Sequence, residues 1–209
     1  MSMPAMRQNR TSGLQTAASA ITQESLHAAK EAIALNCKEH LRWLALFQER
    51  LEFVEFSELH KFARALSLMT LGHLPTRPET CPFCIQYGRD RECQGCGYAA
   101  THGRCDAEDS AFNIFIEAFQ ELGCAIYQDT GGLNCSPSEA RKLLHDSISE
   151  SIDAASRMLE DLPSACALQL MECKAAYIDH MVANLPLILL SEDVRERCRF
   201  VREALGDYW

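Results

Sequence analysis

Residues 31–54, EAIALNCKEHLRWLALFQERLEFV, decide the fold. Within them Ile33, Cys37, Leu41, Leu44, Phe47, Leu51 and Val54 recur every three or four positions, the spacing that puts side chains on one face of a helix. Before this stretch the helical pattern begins near Leu14, and residues 1–12 read as a flexible tail. After it, Ser57 is a good N-cap for a second helix that runs to about Leu71, where Gly72 and Pro75 end it.

Further along, periodicity resumes over Ser110 to Leu122, with Gly123 as the expected C-cap. Ser136-Pro137-Ser138-Glu139 marks another start: a capping serine, proline at the first helical position, and glutamate three residues after the serine. Leu144, Ile148, Ile152, Ala155, Leu159 and Leu162 share one face before Pro163. Leu168, Met171, Ala175, Ile178, Val182 and Leu185 share another. Ser191 is the expected cap of a last helix running to Leu205, before Gly206. No segment alternates with the period of a strand, and no internal repeat is present. The pattern predicts an all-α bundle of five or six helices, one domain over residues 13–209.

Residues 75–109 break this pattern. They are rich in proline, glycine, cysteine and charge, lack an apolar face, and fall between the second and third helices. A structureless stretch of that length is uncommon in a compact domain unless something orders it. A short ribbon hairpin would fit inside this insertion, and a bound metal would order it.

Composition narrows the function. Hydrophobic residues make up 47% and charged residues 23% of the 209, as in an ordinary globular protein. The net charge of −9 disfavours nucleic acid and acidic membrane surfaces. Around the insertion Arg77, Arg89, Arg91 and Arg104 are balanced by Glu79, Asp90 and Glu92, which is no phosphate-tracking surface. The apolar run from Leu185 to Leu190 is far too short for a bilayer. The first 22 residues hold Arg7 and Arg10 and no acid, and read as a disordered leader rather than an organelle transit segment. With no secretory signal, the expected location is cytoplasmic, where eleven cysteines point to metal or redox chemistry rather than disulfides.

Five of those cysteines lie within 25 residues. Cys81-Pro82-Phe83-Cys84 is followed by eight residues, then Cys93-Gln94-Gly95-Cys96, then eight more before Cys105. Two cysteines separated by two residues form a turn in which both sulfurs face one point and backbone N–H groups can donate to them, and Gly95 and Gly97 permit the backbone this needs. Cys93-Gln94-Gly95-Cys96-Gly97-Tyr98 resembles the metal knuckles of zinc ribbons and rubredoxins over about six residues. The first expectation is a structural zinc ion held by Cys81, Cys84, Cys93 and Cys96, a closed tetrahedral site. The spacing of eight is shorter than in the common ribbons. Cys105 offers a second set, Cys84, Cys93, Cys96 and Cys105, suited to a 4Fe-4S cluster. A third reading is thiol–disulfide chemistry, because Cys81-Pro82-Phe83-Cys84 looks like a glutaredoxin-type motif, though the strand such a motif follows is missing.

Other residues read as ordinary. Glu24 and His27 have the spacing of a di-iron ligand pair, but no second pair exists, so they belong to a surface helix. Cys37 and His40 share a face that is better read as core, Cys124 and Cys135 as packing thiols, and Asp179 and His180 are adjacent on a helix and do not face one another. No phosphate loop, serine elbow or zinc-protease motif is present. The expectation is a metal-binding, non-enzymatic protein whose partner is another protein, with a homodimer permitted by the long stripes. The alternative is an iron–sulfur redox or sensor protein, such as an accessory subunit of an oxidoreductase.

Overall fold

The computed structural model describes residues 13–88, 93–133 and 135–208. The expected tail over residues 1–12 lies outside them, as do Arg89, Asp90, Arg91 and Glu92. Among the described residues all regular structure is helical and no strand occurs. The order is α1 (13–19), α2 (Gln23–Leu51), α3 (Leu59–Gly72), α4 (Pro82–Tyr87), α5 (Gly97–His102), α6 (Ala111–Gln128), α7 (Pro137–Asp161), α8 (Ala167–Ala183) and α9 (Glu192–Tyr208). Helices α2, α3, α6, α7, α8 and α9 form the bundle. The insertion between α3 and α6 holds two six-residue helices, α4 and α5, and no ribbon hairpin among its described residues.

The caps explain most boundaries. Thr22 Oγ1 accepts from the Ser25 N–H at 3.2 Å, Ser110 Oγ from Asn113 at 3.1 Å, and Ser136 Oγ from Glu139 at 3.2 Å. Ser57 does not cap α3: it sits inside a 3-10 turn, Phe56–Glu58, and Glu58 precedes the helix with no side-chain cap. Gly123 and Gly206 do not end their helices either. Each helix continues because the buried stripe does, from Leu122 to Ile126 and from Leu205 to Tyr208. Burying one such side chain is worth about 1.5–3 kcal/mol, more than the roughly 1 kcal/mol that an interior glycine costs.

The broadest helix pairings are α6 with α9 and α2 with α7, and α7–α8 and α8–α9 pack as neighbours in sequence. On α2 the expected stripe is buried at Ile33, Cys37, Leu44 and Leu51, with His40 buried among them. Helix α8 departs from its expected stripe. Met171, Ile178 and Val182 are buried, but so are Leu170, Lys174, Tyr177 and Met181 on an adjoining face. Helix α2 also packs on α4 and on the Pro78–Thr80 turn, which lays the insertion against the bundle. No helix among the described residues is long and apolar enough to cross a membrane.

Asp129 latches the loop after α6. Its carboxylate accepts from His60 Nε2 at 3.1 Å, from the Gly131 N–H at 3.2 Å and from the Ser191 N–H at 3.2 Å. Burial pushes the Asp129 carboxyl up, but these donors outweigh burial and hold it below the ordinary value. Its stabilising contribution is therefore present above the ordinary carboxylate pKa and is lost as pH falls through the depressed one. Asp129→Asn should cost about 1–3 kcal/mol at neutral pH, measured by urea unfolding, because it weakens a charge-assisted set of bonds to α3 and the start of α9. An unchanged midpoint would show that the latch carries no stability.

Candidate metal centre

Local backbone geometry places the cysteines. Cys81 stands at the N-cap position of α4 with Pro82 at the first helical position, and its carbonyl accepts from the Ile85 N–H at 3.0 Å. The helical turn that follows returns Cys84 to the same side, and its N–H reaches the Cys81 sulfur. In the second pair, Cys93 has φ of 48° and Gly95 φ of 78°. The Cys96 N–H closes this turn onto the Cys93 carbonyl at 3.0 Å. The Cys96 sulfur then accepts backbone N–H groups from Tyr98 and Ala99. This is the donor pattern expected of a metal knuckle. Gly97 is needed for a different reason: a β-carbon there would meet the Ala17 β-carbon at 2.0 Å, because α5 starts directly on α1.

The bundle brings the five cysteines to one place. Cys81, Cys84, Cys93, Cys96 and Cys105 all line a single cavity of about 20 Å³, with Tyr98, Phe112, Lys174 and Tyr208 among its other walls. The Cys81 and Cys84 thiols are hydrogen-bonded to each other, Cys84 is bonded to Cys105, and Cys96 lies within electrostatic reach of Cys81 and Cys93. The thiols share the cavity wall rather than converging on one point: among the described residues, no group of three or more His, Cys, Asp or Glu is arranged to hold a metal ion. No disulfide links the described cysteines. No family model, curated protein or solved structure matches the chain. The site is therefore read on its own chemistry.

Three of the clustered thiols are held above the usual thiol range. The hydrogen bond with Cys84, then burial, push Cys81 well above the usual thiol range. The bond with Cys105 and burial push Cys84 up to about 12. Burial raises Cys96 against its two backbone donors. The strand that a glutaredoxin-type Cys-x-x-Cys motif follows is absent among the described residues, and α4 has only six residues. Metal ligation is what converts such thiols to thiolates.

Two residues of the site were not legible in the sequence. Lys174, from α8, is 2% exposed and faces Cys81, Cys84 and Cys105. Burial pushes its ammonium down, and the nearby Cys81, Cys84 and Cys105 oppose the shift. Tyr208, at the end of α9, is buried against Phe115 with ring centroids 5.5 Å apart, and its carbonyl accepts from the Tyr98 hydroxyl at 2.8 Å. His102 stacks on Tyr98 at 4.5 Å. The only signal for Lys174 was its place one turn before Tyr177 on an apolar helix, and a lysine there reads as solvated.

The residues read as ordinary mostly stay so. His27 meets Glu31 at 3.3 Å on an exposed face. Asp179 pairs with Arg202 at 2.7 Å. Cys124 is exposed and Cys135 is partly buried. Cys37 and His40 are both fully buried, where the Tyr177 hydroxyl bonds the Cys37 thiol and lies 3.2 Å from His40 Nδ1.

Proposed function

We propose that Cys81, Cys84, Cys93 and Cys96 hold a zinc ion as four thiolates, and that the loaded centre fixes the insertion to the bundle as part of a non-enzymatic, protein-binding molecule. The observation that carries the reading is that all five clustered cysteines, within a stretch of 25 residues, line one small cavity. Its volume suits a single ion better than a cubane. Cys81, Cys84, Cys93 and Cys96 would hold the ion from the two turned segments Cys81–Cys84 and Cys93–Cys96. Zinc supplies no redox chemistry, and four protein ligands leave no position for substrate.

A protein partner is supported by an exposed apolar patch around the end of α2, where Trp43, 44% exposed, and Phe53, 85% exposed, line one groove with Leu46. A second reading rests on the Cys84–Cys105 bond, which draws Cys105 into the array. It replaces Cys81 by Cys105 and the ion by a 4Fe-4S cluster, giving a redox or sensor protein. Metal analysis with a visible spectrum on anaerobically purified protein separates the two. Stoichiometric zinc in a colourless sample supports the first reading. A brown sample that bleaches on reduction supports the second, and a sample with neither metal overturns both.

A further inference from the structure

We propose that Lys174 is the fixed counter-cation of this metal–thiolate centre, an inference that rests on the zinc reading above. A divalent ion with four thiolates carries a net double negative charge, and burying such a group without compensation is costly. The cavity that Cys81, Cys84 and Cys105 line is also lined by Lys174, which is 2% exposed and reaches it from α8, a helix of the bundle rather than of the insertion. Among the described residues no ion pair with a carboxylate involves Lys174, and the cavity it lines is otherwise walled mostly by the cysteines and by aromatic and apolar side chains. Free thiols do not neutralise a buried ammonium, whereas thiolates on a metal do. The lysine is therefore unfavourable in the metal-free protein and favourable in the loaded one. It also ties metal binding to the docking of α8, so that the bundle and the insertion are joined through charge as well as through packing.

The prediction has two arms of opposite sign, both read on the full-length chain. Zinc affinity is measured by competition with a chromophoric chelator for the wild type, Lys174→Met and Lys174→Arg. The methionine variant should bind zinc about 10- to 100-fold more weakly, the usual cost of losing a group that supports a metal's ligands, with arginine nearer the wild type. Unfolding of the metal-free proteins by urea should show the methionine variant with an unchanged or higher midpoint, because an apolar chain of similar length replaces a buried charge. Equal zinc affinity in the wild type and Lys174→Met overturns the proposal. So does a metal-free Lys174→Met protein of lower midpoint, which marks the lysine as packing. Loss of affinity in Lys174→Arg as deep as in Lys174→Met also overturns it, because charge would not be the cause. A wild type that binds no zinc at all defeats the metal reading itself, and this proposal with it.

Discussion

Zinc at a free concentration a thousandfold above its dissociation constant should stabilise the protein by about 4 kcal/mol, and a chelator should remove that gain. For a chain of this size the gain corresponds to a rise of roughly 8–16 °C in melting temperature. The reason lies in where the cysteines sit. Cys81 and Cys96 are buried, and their cavity is closed by Lys174 from α8 and Tyr208 from α9, so a ligand that fills it favours the folded chain. Cys81→Ser with Cys84→Ser should abolish the zinc-dependent shift, and should lower the metal-free melting temperature by a smaller amount, since Cys81 belongs to the buried core and Cys84 packs against it. Differential scanning calorimetry with and without chelator checks both statements. A melting temperature indifferent to zinc sinks the idea of a structural centre. A shift that persists in the double variant moves the metal to other ligands.

The second large effect concerns pH and is independent of metal. Stability should fall by about 3 kcal/mol as pH drops from 7 to 4. His40 is fully buried, with Nδ1 3.2 Å from the Tyr177 hydroxyl and no partner for Nε2 among the described residues. Burial, and then the neighbouring His73 stacked at 5.6 Å, push its imidazole down from 6.5 to about 4. Between those values the unfolded chain takes up a proton that the folded chain refuses, so the unfolded state is favoured as pH falls. Below about 4 both states are protonated and the loss stops growing. Asp129 acts lower still, beneath the ordinary carboxylate range, so the two windows are distinct. Urea midpoints at pH 7 and 4.5 for the wild type and His40→Leu test this. The variant should lose most of the difference between the two pH values. An unaltered pH dependence in His40→Leu would place the titrating group elsewhere.

The readable parts of this protein are those governed by neighbours in sequence. The three-and-four spacing of Ile33, Cys37, Leu44 and Leu51, and the capping serines Ser110 and Ser136, depend on one helix's own geometry, and the structure places them as that geometry requires. The Cys93–Cys96 turn is of the same kind, because Gly95 supplies the positive φ within the motif itself. The misread boundaries, Ser57, Gly123 and Gly206, are places where a local preference of about 1 kcal/mol met a larger burial energy from another helix.

The cysteine cluster belongs to both levels. Its spacing and its likeness to a metal knuckle are properties of the sequence alone. What surrounds it was settled only by the tertiary structure: that Cys105 joins the other four at one cavity, and that Lys174 and Tyr208, from helices about 70 to 100 residues further along the chain, close it. Periodicity carries no signal for such residues. A lysine reads as solvated until the groups that offset its desolvation are known, and those groups come together only when α8 and α9 pack against the insertion.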